Sequence, residues 1–200
     1  MKKIFVKIIS IILLAAASAT LSACGTTGST KATTAPVVTD SPKATSAQQV
    51  STGKRVYFAA PLFNEAEREY NLKLTAILES YGYEVFLPQR DGFLAPELEG
   101  KSEKEKTEMI FQKDRDEVLK SDIVFMLLDG RTPDEGACVE LGIAYANGKR
   151  CYGIKNDARA VELDMNLNPM ITGCFTKLFY DLNGERLINS LKEYLDNNQL

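Results

Sequence analysis

Asp122-Ile-Val-Phe-Met-Leu-Leu-Asp-Gly130, continued as Arg131-Thr-Pro-Asp-Glu-Gly-Ala-Cys-Val-Glu140-Leu-Gly-Ile-Ala-Tyr-Ala-Asn-Gly-Lys149, decides the fold of this chain. Ile123 to Leu128 is a continuous apolar run, the pattern of a strand buried on both faces of a parallel sheet. Asp129, Gly130, Pro133 and Asp134 mark a short loop after it. A helix then begins near Glu135 and stops at Gly148, with Asn147 before it. Cys151 to Ile154 supplies the next strand. In open α/β sheets built from such βαβ units, ligands bind beyond the carboxyl ends of the strands. Asp134, in the loop, and Glu140, in the opening turns of the helix, both fall at that edge.

Glu140 stands out because of its neighbours. Ala137, Cys138, Val139, Leu141, Gly142, Ile143, Ala144 and Ala146 make the helix apolar or small almost all round, which predicts burial. A lone carboxylate in such a helix is paired for structure or functional, because burying it otherwise costs several kcal/mol. Gly136 and Gly142 weaken the helix by roughly 1 kcal/mol each relative to Ala. Their presence points to close approach of a ligand or of another backbone.

The 200 residues, 44% of them hydrophobic, allow one domain with appendages. A net charge of −3 provides no basic face, so no nucleic-acid partner is expected. Histidine is absent, which removes His-based triads and imidazole bases and leaves carboxylates, Tyr and Cys for chemistry. The four cysteines, Cys24, Cys138, Cys151 and Cys174, show no Cys-x-x-Cys spacing. No metal and no cofactor are expected.

Near the start, Lys2 and Lys3 precede an apolar run from Ile4 to Ala19, broken by Lys7 and Ser10. Small residues follow, ending in Leu21-Ser-Ala-Cys24-Gly25. This is the layout of a signal peptide over residues 1–23, and its ending resembles the lipobox of bacterial lipoproteins. That resemblance implies cleavage before Cys24, lipid on its sulfur, and a chain held on the bacterial cell membrane, outside the cytoplasm. The competing reading is an uncleaved anchor, for which the run is short and interrupted by Lys7. Residues 24–53 are rich in Thr, Ser, Ala, Pro, Lys and Gln and predict a disordered tether.

The folded domain is expected over 54–200. Arg55 to Ala60 predicts a first strand, and Asn64 with Glu67 a capping box for a helix burying Tyr70, Leu74, Ile77, Leu78 and Tyr81. Glu84 to Leu87 predicts a second strand, and residues 89–101 a loop. The next helix, about 102–120, places Ile110, Asp114 and Val118 on one face. Asp114 therefore lies on the apolar stripe, where partial burial raises its pKa and suits it to proton transfer. A surface acid at the stripe's margin is the alternative. Lys113, Arg115, Asp116 and Glu117 are free to point to water. Residues 156–172 read as irregular, Leu178 to Tyr180 as a fifth strand, and Asn183 as the cap of a last helix with Leu187, Ile188, Leu191, Tyr194 and Leu195. Five strands alternating with helices predict an α/β fold: a flavodoxin-like, doubly wound parallel sheet in the order 2-1-3-4-5. No Gly-x-Gly-x-x-Gly and no Walker loop is present.

Tyr57, Pro61-Leu-Phe-Asn64, Pro88-Gln-Arg-Asp-Gly92, Asp114 eight residues before Asp122, Asp134-Glu-Gly-x-x-x-Glu140-Leu-Gly and Asn168-x-Met170 occur in this order. Together they resemble the nucleoside 2-deoxyribosyltransferase family, over Lys54 to about Leu195. The resemblance implies cleavage of the N-glycosidic bond of 2′-deoxyribonucleosides and passage of the sugar to another free nucleobase. Glu140 is then the nucleophile, Tyr57 the residue that orients it, and Asp114 and Asp134 the acids that handle the base. A nearby helix N-terminus helps keep Glu140 ionised. Gln89 and Asp91 contact the base. Asn168 and Met170 reach the sugar in a neighbouring subunit's site, which implies a homo-oligomer with shared active sites. Without the resemblance, Tyr57 reads as core and Asn168-Pro169-Met170 as a turn. Two rival functions stay open: an N-glycoside hydrolase with water as acceptor, and a tethered nucleoside-binding protein without turnover. The apolar loop Ala59-Ala-Pro-Leu-Phe63 offers no charge for a phosphate and favours free nucleosides.

Overall fold

The computed structural model describes residues 51–93, 95–158 and 167–200. The expected signal peptide, Cys24 with its lipid, and the tether as far as residue 50 lie outside the described residues. Thr52 already binds the domain, its N–H donating to the Gly82 carbonyl at 3.0 Å, two residues before the expected start at Lys54.

Five strands form one parallel sheet: β1 (Arg55–Ala59), β2 (Glu84–Phe86), β3 (Ile123–Leu127), β4 (Arg150–Lys155) and β5 (Lys177–Tyr180). Their spatial order is β2-β1-β3-β4-β5, the doubly wound arrangement expected from the sequence. The flanking helices are α1 (Glu65–Ser80), α2 (Pro88–Asp91), α3 (Glu103–Lys120), α4 (Glu135–Ala146), α5 (Pro169–Thr172) and α6 (Gly184–Asn197).

Strand periodicity divides the interior into two cores. Val56 and Phe58 of β1 turn toward Leu74 and Leu78 of α1 and Leu187 and Leu191 of α6. Tyr57 and Ala59 turn the other way, toward Val118 of α3 and Ala137, Leu141 and Ala144 of α4. With both faces covered, every residue of β3 is buried, which is why its sequence is apolar without alternation. The order of strands reverses between β1 and β3, and the crevice at that switch point lies above their carboxyl ends. The capping box of Asn64 and Glu67 starts α1, and Ser102 with Glu105 makes a second one for α3.

Several expectations need correction. Residues 89–101 are not simply loop, because Pro88, with its preset φ, starts α2, and a 3-10 turn follows at Ala95–Leu98. Gly92 closes α2 by donating to the Pro88 carbonyl at 2.9 Å, where a Cβ would collide with that oxygen. The irregular stretch 156–172 contains α5, capped by Asn168, while residues 159–166 lie outside the described set. Helix α4 is not buried all round: the sheet and α3 cover Ala137, Leu141 and Ala144, leaving Val139 and Tyr145 each 56% exposed. Finally, α1 buries two polar residues beside its expected apolar ones, Asn71 and Thr75.

Candidate active site

Tyr57 occupies the middle of β1, paired in register with Phe86 of β2 and Val124 of β3. Its ring is fully buried and stacks on Phe86, with centroids 5.6 Å apart. The hydroxyl donates to Glu140 Oε1 at 2.7 Å, so the expected contact between these two residues is present. Tyr57 is therefore both core and orienting group: the ring packs and the oxygen points at the acid. Glu140 lies in the second turn of α4, which starts just beyond the end of β3. Asp134 caps that helix, its Oδ1 accepting from the Ala137 N–H at 2.8 Å.

Burial pushes the Glu140 carboxyl up to about 7; the Tyr57 hydrogen bond opposes this, and the charges of Asp114 and Asp134 add to it. The help expected from the helix N-terminus is thus outweighed. Asp134 already takes a terminal N–H of α4, and desolvation dominates what remains. Burial and the neighbouring Glu140 and Asp114 charges hold the Tyr57 phenol well above its ordinary value, so it acts only as a donor.

Asp114 is half-buried on α3, as its place on the stripe predicted. Burial raises it to about 6; Lys113 pulls it down and Glu117 pushes it up. Glu117 does not point to water. Its side chain is 12% exposed and accepts from Arg55 Nη2 at 2.6 Å, an ion pair joining α3 to the start of β1. Asp114 and Glu140 face one cavity between α3 and α4, about 510 Å³ in volume, with Ile110, Phe111, Val139 and Ile143 as apolar walls and Arg115 at its margin. That volume falls within the ~300–1,000 Å³ of small-molecule sites.

The remaining sequence candidates are placed differently. Gln89 spends both polar ends inside the chain, donating to the Arg68 carbonyl and accepting from Asn71, each at 2.9 Å. Asp91 accepts from the Leu87 N–H at 2.8 Å and from Arg90. Asn168 caps α5 by accepting from the Met170 N–H at 2.9 Å. Met170 is 81% exposed and borders a separate cavity with Tyr145 and Cys138, on another side of α4. Within one chain, then, Tyr57, Asp114 and Glu140 come together with Asp134 near them, while Asn168 and Met170 stand apart. Among the described residues no cluster of His, Cys, Asp or Glu is suited to a metal. Two contributors were missed from sequence. Asn71, 1% exposed, bridges the Pro61 carbonyl and Gln89. Lys113 turns inward over Phe86 and Phe93. Asn71 sits three residues before the apolar Leu74 on the same helix face, which is a signal; Lys113 gave none.

Solved structures share this architecture. A 2-deoxyribosyltransferase from Bacillus psychrosaccharolyticus is 28% identical, with a TM-score of 0.56 over 70% of this chain and 91% of the other. A conserved protein from Enterococcus faecalis V583 is 25% identical, with a TM-score of 0.58 over 72% and 98%. A CMP N-glycosidase from Clostridium botulinum, 21% identical at a TM-score of 0.50 over 70% and 99%, is similar in fold. No curated protein matches the sequence significantly. Residues 56–187, which hold Tyr57, Asp114, Asp134 and Glu140, match the family described as nucleoside 2-deoxyribosyltransferase. The chain belongs to that family.

Proposed function

We propose that this chain moves 2-deoxyribose between nucleobases through a sugar bonded transiently to Glu140. The observation that carries this is the arrangement around one cavity: a carboxyl oriented by a buried phenol, and a second acid of raised pKa facing the same space. A Glu140 carboxylate oxygen attacks C1′ as the glycosidic bond breaks. The bonding pair leaves with the base, and Asp114 supplies a proton to the departing ring nitrogen, with Asp134 assisting at the base. An acceptor base then attacks C1′ from the vacated face, releases the carboxylate, and returns its proton to Asp114. Two displacements retain the sugar's configuration. Water in place of the second base gives hydrolysis by the same first step. The exported, tethered form expected from Cys24 would meet few free bases, which gives weight to that second outcome.

Asn168 and Met170 serve a neighbouring copy in this reading. Its support is the apolar surface left open on two sides of α4, Ile110, Phe111 and Val139 on one and Tyr145 and Met170 on the other, all more than 40% exposed. Surface of this kind marks an interface. Light scattering of the purified protein should give a dimer or larger; a stable monomer would contradict shared sites.

The reactive pair needs Glu140 ionised and Asp114 protonated, one proton between two acids. With Asp114 near 6 and Glu140 near 7, the singly protonated pair is most populated between those values. Its proton rests mostly on Glu140, so the reactive form is the minor one of the two and rises and falls with the pair. Below them a second proton blocks attack, and above them the proton for the base is gone. Activity on thymidine with adenine as acceptor, followed by chromatography, should show a bell in kcat/KM centred between about 6 and 7. Product formed only with adenine marks a transferase, and free deoxyribose without it a hydrolase. Glu140→Ala should lower both by ~10⁴-fold or more; retained turnover removes the mechanism.

The same carboxyl destabilises the fold. Its pKa of about 7 lies above the ordinary 4.5, so the native state binds the proton more tightly than the unfolded chain. Its contribution to stability is full below 4.5 and is lost as pH rises to 7. Glu140→Gln keeps an acceptor for Tyr57 and removes the charge. It should stabilise the protein at pH 8 by ~1–3 kcal/mol, with the gap to the parent closing toward pH 4.5. Thermal melts that show no gain at pH 8 would mean that the buried charge is not the cost.

A further inference from the structure

The periodicity of α3 leaves Arg115 free to point to water, yet it lines the same cavity as Asp114 and Glu140. Two stripes of the helix face that space. Ile110 and Asp114 share one, Phe111 and Arg115 the next, each pair four residues apart. The guanidinium lies over the Phe111 ring, its Cζ 5.7 Å from the centroid. Nε and Nη2 both donate to one oxygen, Asp116 Oδ1, at 2.9 and 2.7 Å, which holds one edge of the fork. Among the described residues, Nη1 and the second N–H of Nη2 meet no acceptor.

Among the described residues Arg115 is also the one cation on the cavity wall. The other polar side chains there are the Asp114 and Glu140 carboxyls and the Thr107 hydroxyl. A ligand oxygen that gathers negative charge is repelled by carboxylates, and in that space Arg115 is its permanently charged donor. The charges that move Asp114 are Lys113 and Glu117, and those that move Glu140 are Asp114 and Asp134. Arg115 stands beside the acid pair without tuning it.

We propose that Arg115 is a catalytic residue for pyrimidine nucleosides, its free fork edge donating to the O2 carbonyl oxygen of the departing base. This rests on the glycosyl-transfer reading of Glu140, with Asp114, the neighbour of Arg115 on α3, at the base. As Glu140 bonds to C1′, the C1′–N1 bond breaks, and its electron pair passes to N1 and spreads onto O2. Arg115 gives up no proton in this step. It holds O2 by a charged hydrogen bond while Asp114 protonates N1. Asp116 and Phe111 fix the guanidinium before substrate enters, so little side-chain freedom is lost on binding.

Deoxyuridine and 5-fluorodeoxyuridine make the test, because fluorine withdraws electrons and turns a base of nearly the same shape into a better leaving group. With full-length protein purified in detergent, Arg115→Met should lower kcat/KM for deoxyuridine by about 10- to 100-fold, the worth of one hydrogen bond to a charged group. The loss on 5-fluorodeoxyuridine should be several-fold smaller, since less charge then needs support. Arg115→Lys, which keeps the charge and not the fork, should recover part of the loss. The bell against pH should stay where it is. A shifted bell, an equal fall on both substrates, or no fall on either overturns the role of Arg115 and leaves the reading of Glu140 intact. A parent that cleaves neither pyrimidine nucleoside overturns the role of Arg115, and one that also leaves deoxyadenosine uncleaved overturns the reading of Glu140 as well.

Discussion

The hydrogen bond from Tyr57 to Glu140 joins β1 to the helix layer above it, and the geometry of the candidate site depends on it. Its geometry follows from parity along β1, where Val56 and Phe58 serve one core and Tyr57 the other. A slip of one residue in the pairing of β1 with β2 and β3 would turn the phenol into the wrong core and strand the carboxyl. Stacking on Phe86 fixes the ring, and burial keeps the hydroxyl a donor at every pH the protein meets. What remains to Glu140 is one oriented carboxyl with its face toward a cavity.

That cavity gathers acids. The charges of Asp114 and Asp134 push Glu140 toward protonation, and burial pushes both Glu140 and Asp114 the same way. The arrangement costs stability, which is what the proposed sharing of one proton between two acids would require. Three things limit the cost. Tyr57 donates to Glu140, Asp134 is engaged by the end of α4, and Lys113 brings positive charge to Asp114. Glu117 adds to the repulsion on Asp114 even though Arg55 pairs with it.

Much of this was legible in the chain because it is written in long, periodic segments. The apolar run of β3, the Gly148 stop and the alternation of strands and helices specify the sheet order. Glu140 and Asp114 were visible as charges on apolar stripes. Misses came where neighbours from other elements decide. Periodicity along α3 places Lys113 and Glu117 off the stripe, but Phe93, Phe86 and Arg55, all distant in sequence, draw them inward. Helices α2 and α5 span four residues each, too short for a period to show. The apolar ring of α4 signalled burial, yet a single chain buries only its inner side.

The most direct test of the central claim is the mass of the protein after incubation with a deoxynucleoside carrying fluorine at C2′ of the sugar, which slows release of the sugar from the enzyme. The account predicts a gain of one fluorinated deoxyribosyl group, mapped by peptide digestion to Glu140. Cleavage of that nucleoside with no adduct, or an adduct on a different side chain, would contradict it.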